Sequence, residues 1–396
     1  MIKAILGQLI NDSIHGGVLK SVSLLARALF FVLVVPILGA GELAGYMYIN
    51  STALILSTIA ILGLNEELPR EIAGNLGIAR GYFKWFVLLN SLATLLLVVT
   101  LISPSNALAI FLFALTALAG RFLNGVVRSV DPAIFEQIQN VPWVLFLICA
   151  ATLHLDNAVD LIIARSASMC IVQWYAFHVI SRSERQASNW ELISLPTIIR
   201  RAISRGISKL GANLLLLGVV RGPIILPVWL GLGGNLDAVA FAVAIGEMIV
   251  QFGIIPVNRA YAKWCSNRPT THQDWVRAVM TCLALVVGLS AFSLFALFML
   301  GFVELWPSNI ASSNMLSQAL VFYSLVVAFY LVRYLVWSRG ILEYEVVLLT
   351  AMMFIATAAI VATIDMQFWF LSLAFVTTIA VSMLATVAKR AFARAT

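Results

Sequence analysis

The chain has 396 residues, 62% of them apolar and 11% charged, with a formal net charge of +7 and a mean hydropathy of +0.99. Such a composition lies outside the range of soluble domains and leaves no room for a soluble catalytic domain. The positive balance does not point to nucleic acid, because the cations are placed as topology determinants beside an anionic inner leaflet.

Residues 1–14 put Ile2, Ile5, Leu6, Leu9 and Ile10 on one helical face, which predicts a short helix lying on the membrane surface. Apolar runs about twenty residues long then predict twelve spans, near 17–38, 45–65, 84–103, 107–123, 141–155, 158–180, 208–230, 237–256, 276–302, 314–336, 344–364 and 367–388. The first run is too long for a signal peptide and lacks a small-residue cleavage site, so it reads as a retained helix. The connections on one side are very short, from Gly39–Ala44 to Asp365–Met366. The longest connection, Ser181–Ile207, carries an apolar stripe of Leu195, Ile199 and Ile203 opposite Arg200, Arg201 and Arg205. Ser194 followed by Pro196 suits a helix start there, and a surface-bound linker helix is expected.

Of the 25 Lys and Arg residues, 22 fall at the termini, the even-numbered connections and their flanking span ends, and none in the odd-numbered connections. Positive charge stays cytoplasmic on insertion, so both termini are expected inside. The four cysteines show no paired or metal-like spacing, and His15, His154, His178 and His272 are scattered. No metal site or cofactor is expected. The tryptophans, Trp143 and Trp229 among them, mostly fall near predicted span ends and read as interface anchors.

The three remaining cations, Arg27, Arg165 and Arg221, lie within spans. Each costs about 3 kcal/mol or more at mid-membrane, so such residues usually face a wet cavity or a partner. Lys20 and Ser23 share a helical face with Arg27 and form a polar stripe leading to it. Arg221 precedes Gly222-Pro223, which should bend its helix and free carbonyls, with Asn213 and Leu217 on the same face. Ser168 and Gln173 follow Arg165. Glu247, with Gln251 one turn on, is the one carboxylate near a span centre. It reads either as the ion-pair partner of Arg221 or as a protonation or cation site coupled to conformational change. Three cations against one carboxylate leave a surplus that favours an anionic substrate.

A linker at 181–207 separates an N-terminal six-span lobe, 1–180, from a C-terminal one, 208–396, and the lobes look related. Gly17-Val-Leu-Lys20 and Gly206-Ile-Ser-Lys209 open corresponding spans, each with a mid-span arginine and then proline, glycines, a carboxylate (Glu42 or Asp237) and an aromatic (Tyr46 or Phe241). Because both lobes begin inside, the repeat is expected to be parallel and to enclose a central cavity.

The stretch from Gly17 to Gly74 resembles the start of a Wzx-type polysaccharide flippase of the MOP superfamily, related to the MurJ and MATE transporters. The likeness is carried by the opening Gly-x-x-x-Ser, Arg27, Leu38-Gly-Ala-Gly-Glu-Leu-Ala-Gly45-Tyr46, and Leu62-Gly63-Leu64 before Glu66 and Arg70. It implies an all-α integral membrane protein, V-shaped and MATE-like, with twelve transmembrane helices in two six-helix lobes related by pseudo-two-fold symmetry. It also implies residence in the bacterial cytoplasmic membrane and transfer of a polyprenyl-pyrophosphate-linked oligosaccharide from inner to outer leaflet by alternating access, for O-antigen or exopolysaccharide synthesis. Membrane lipids, a polysaccharide polymerase and chain-length proteins would be its partners. On this reading Arg27, Arg221, Arg165, Lys20 and Asn213 bind substrate, with Arg27 and Arg221 taking the pyrophosphate in alternation, while Glu247 and Gln251 serve coupling.

A cation-coupled MATE-type exporter shares the architecture. Against it stands the sign of the mid-span charge, since the first six spans hold no carboxylate near a midplane. A membrane glycosyltransferase or polymerase is the enzyme alternative, but the outer connections are tiny and no two carboxylates are placed for acid/base work. No Gly-x-x-x-x-Gly-Lys-Ser/Thr loop is present, so the chain itself does not hydrolyse ATP through a P-loop.

Overall fold

A computed structural model describes residues 18–19, 21–61, 104–130, 132–184, 207–231, 235–250 and 313–337, with further positions at 95, 200, 288, 368 and 371–373. Among the described residues every element is helical. Helix α1 covers residues 21–33 and passes into a 3-10 turn at Val35–Ile37. It is followed by α2 (Glu42–Ala60), α3 (Pro104–Val130), α4 (Pro132–Thr152), α5 (Ala158–Glu184) and α6 (Ile207–Trp229). The others are α7, residues 236–250, and α8, Ser313–Trp337. The chain divides into two compact units, Met1–Leu210 and Gly211–Thr396. The surface helix expected at 1–14, most of the linker at 181–207, and the spans expected at 84–103, 276–302, 344–364 and 367–388 lie outside the described residues, apart from isolated positions.

Two helix boundaries differ from the apolar runs. Helix α3 continues seven residues past the run ending at 123, and α4 begins nine residues before the run starting at 141. A connection expected at 124–140 is therefore almost wholly helical. Hydropathy marks only where a helix crosses hydrocarbon, whereas the backbone ladder continues as long as its amides find carbonyls.

In the first unit, α2 packs on α3 and α5, and α5 packs in addition on α3 and α4. Lipid supplies no hydrophobic drive between helices, so close packing of small residues takes its place. Gly45 shows this: a Cβ there would lie 3.2 Å from the Ala158 Cβ. Gly120 faces Gln173, whose Nε2 donates to the Thr116 carbonyl at 2.9 Å. Outward, Leu25, Leu33, Leu108, Ile148, Ile171 and Trp174 are exposed, while Ser23, Asn50, Ser51, Asn140 and Ser168 are buried. Apolar residues outside and polar residues inside suit a lipid-facing surface.

Two positions of the Gly-rich turn before α2 have a physical reading. Gly41, at φ +83°, takes the left-handed conformation at the helix N-cap. Glu42 then reaches α5, where its Oε2 accepts the Ala158 amide at 2.6 Å and satisfies a donor at that helix start. Asn157 completes the cap by accepting the Asp160 amide at 2.8 Å. On the other side of that turn α4 ends with His154 at φ 51° and the Leu155 amide donating to the Ala150 carbonyl at 3.2 Å, a Schellman-type stop.

In the second unit, α6 stays helical through Pro223 and Pro227. Each proline lacks an amide and disturbs the carbonyls one turn earlier. The Val220 carbonyl in that disturbed turn accepts the Tyr323 hydroxyl of α8 at 2.8 Å. Helix α7 approaches α8 so closely that a Cβ on Gly246 would lie 1.8 Å from the Tyr323 ring.

Candidate functional site

Arg165 of α5 is the meeting point of the first unit. Its Nη1 donates to the Tyr46 hydroxyl of α2 at 2.7 Å. Its Cζ lies 4.0 Å from the centre of a Trp143 ring of α4 and 5.1 Å from the Phe113 ring of α3. Arg27 of α1, buried at 9% exposure, places its own Cζ 4.2 Å from a Trp143 ring. Two guanidiniums from different helices thus share one indole. A cation over an indole face gains from the ring quadrupole, about 0.5–2 kcal/mol depending on desolvation.

Aromatic packing holds this arrangement. Phe146 meets Trp143 edge-on at 5.8 Å and stacks on Tyr46 at 6.1 Å with the rings 5° apart. Phe30, below 2% exposed, fills the space against both Tyr46 and Phe146 at 5.7 and 5.3 Å. The contacts Trp143–Phe146, Phe146–Tyr46, Tyr46–Arg165 and Arg165–Trp143 close into a ring. Pro142 occupies the position before Trp143 within α4.

Trp143 stands at the edge of the apolar run, yet α4 starts at Pro132, so position 143 lies mid-helix, and its indole meets both arginines. No periodicity would have found it; the adjacent Pro142, a helix-interior proline, is the one local oddity in the sequence. Tyr46 was visible as the aromatic after the Gly-rich turn, but its bond to Arg165 was not. Of the carboxylates in this unit, Glu42 caps α5, and Asp156 and Asp160 are exposed at the α4–α5 turn.

In the second unit Arg221 of α6 and Glu247 of α7 form a buried ion pair, Nη2 to Oε1 at 2.8 Å, with side-chain exposures of 9% and 17%. The atoms are close, but their alignment falls short of a good hydrogen bond. This is the ion-pair alternative for Glu247. The Tyr323 hydroxyl sits one residue away, on the Val220 carbonyl. Asn213 is half-buried on α6, whereas Lys20 and Gln251 lie outside the described residues. The expected alternation of Arg27 and Arg221 joins two units and belongs to neither alone; within the first unit the cation brought to Arg27 is Arg165.

No protein-family model matches the chain, and no curated protein matches it by sequence. Solved structures do match in fold. A mutant of the Vibrio cholerae MATE transporter VcmN aligns at 17% identity and TM-score 0.51, over 98% of this chain and 92% of that one. A MATE protein in complex with MaL6 aligns at 13% and 0.51, over 97% and 95%. One in complex with MaD5 aligns at 13% and 0.50, over 98% and 93%. Near-complete coverage in both directions, on an all-helical chain of this composition, means that this protein has the fold of the MATE transporters.

Proposed function

We propose that the chain is a transporter that moves an anionic lipid-linked oligosaccharide, a polyprenyl-pyrophosphate sugar repeat, from the inner to the outer leaflet of the cytoplasmic membrane. The observation that carries this reading is the pairing of Arg27 and Arg165 on Trp143. Two cations set close together inside a helical unit repel one another, and an anion arriving between them relieves that repulsion. Guanidinium forks match phosphate oxygens in geometry and offer several donors each. A polyprenyl tail stays in lipid while the charged head crosses past the arginines, whose contacts replace its hydration. Alternating access between two six-helix lobes is the motion that would carry it, with a polymerase and chain-length proteins acting on the delivered repeat.

A MATE-type cation-coupled exporter is the second reading, favoured by the fold itself and by Glu247, a carboxylate buried in α7. There Arg221 already neutralises the carboxylate, and among the described residues of the first unit Trp143 gathers two guanidiniums.

Vesicles reconstituted with the full chain separate the two. Translocation of a lipid-linked oligosaccharide is expected, and Arg27→Ala or Arg165→Ala should reduce it to below about a tenth, corresponding to a loss of roughly 1.4 kcal/mol or more. Efflux of a cationic dye with no movement of the lipid-linked sugar would overturn the proposal in favour of the exporter.

A further inference from the structure

Trp143 supports a role of its own, which rests on the anionic-substrate reading. We infer that Trp143 is a positioning residue that sets the spacing of Arg27 and Arg165 so that one diphosphate group meets both guanidiniums together. Its rings lie 4.2 and 4.0 Å from the two Cζ atoms, which holds both cations against one side chain. A guanidinium carries five N–H donors, so one that spends a donor or two on the protein still has others for an acceptor. Arg165 uses one donor on Tyr46 and keeps others.

The indole is itself held. Phe146 braces it edge-on, Tyr46 stacks on Phe146, and Tyr46 ties back to Arg165. An aliphatic side chain at position 143 would fill some of the volume but supply no π face, leaving two like charges to move apart. A single phosphate reaches one guanidinium wherever it lies, whereas a diphosphate gains from two held at a set distance. The spacing therefore confers a preference for diphosphate over monophosphate, and the preference depends on the indole more than on either arginine's charge alone.

Calorimetric titration of the full chain in neutral-lipid nanodiscs, with inorganic pyrophosphate and with inorganic phosphate, tests this. Wild type should bind pyrophosphate more tightly than phosphate. Trp143→Leu should weaken pyrophosphate binding roughly tenfold, as loss of a desolvated cation–π contact on each arginine implies, and should bring the two ligands level. Trp143→Phe should stay within about threefold of wild type, since it retains a π face. Leu316→Ala, at a buried position of α8 in the other unit, serves as the packing control: it lowers thermal stability and preserves the preference. If Trp143→Leu discriminates as wild type does while Arg27→Ala and Arg165→Ala lose binding, the positioning role fails and the anion site stands. Equal loss in Trp143→Phe and Trp143→Leu also rejects it, because then the aromatic face is not what matters. If wild type binds no pyrophosphate, or both arginine variants bind it normally, the anionic-substrate reading itself is overturned.

Discussion

Glu247 and Arg221 illustrate what a single buried charge demands of its surroundings. A carboxylate taken out of water is stabilised only by a partner at its own depth, and Arg221 supplies one at 2.8 Å. Glu247→Gln leaves the arginine charge buried against a neutral amide. We expect it to lower unfolding stability by about 3 kcal/mol, and replacing both residues by Met to restore most of that loss. Thermal unfolding in detergent measures both, and a Glu247→Gln variant as stable as wild type would show that the pair contributes nothing. The three arginines were legible in the sequence as breaches of hydropathy, each within an apolar run. Their partners were legible only in part: the carboxylate for Arg221 stood out as the one near a span centre, whereas the indole for Arg27 and Arg165 looked like one more span-end tryptophan.

Between helices, the informative residues are those without side chains. Gly45 admits Ala158, and Gly246 admits the face of Tyr323. Position 246 has the less tolerance, because a Cβ there would lie 1.8 Å from a ring that is fully buried and tied by its hydroxyl to Val220. Gly246→Ala must therefore push α7 from α8 and disturb the neighbouring Glu247. A destabilisation of about 3 kcal/mol, at the upper end of the usual overpacking range, is expected. Tyr323→Ala in the same background should recover part of it. Unaltered stability of Gly246→Ala would mean that the two helices are not packed this closely. The Gly-rich turn before α2 was readable as a turn, since glycine alone enters the left-handed region without penalty. Its outreach to α5 through Glu42 was not readable, because a carboxylate in a first helical turn fits equally well with its own helix dipole. Helix ends were misplaced wherever polar residues continue a helix beyond hydrocarbon, as at the α3–α4 junction.

Across the chain, the cation distribution makes the sidedness a direct experiment. In a variant with the four native cysteines replaced, Asp156→Cys sits in the short α4–α5 turn, where the wild-type residue is exposed. It should react with an impermeant maleimide added to intact cells, and Arg185→Cys, within the basic connection, only after permeabilisation. The reverse pattern would invert the topology read from the basic residues. The MATE-like fold was anticipated from the Gly-rich start, and the solved MATE structures match the chain along nearly its whole length at 13–17% identity. Identity that low preserves the packing of helices but not the chemistry inside them, so substrate has to be argued from the side chains.

Residue order alone was enough to establish a chain built for lipid, interrupted by three costly cations, because transfer free energy depends on composition along one dimension. Which partner each cation meets was a matter of packing. Depth in the membrane follows from position along a helix, but the neighbour at that depth depends on rotation about the helix axis and on which helices lie alongside. Those are set by contacts such as Gly45 on Ala158 and Gly246 on Tyr323, between residues far apart in the chain.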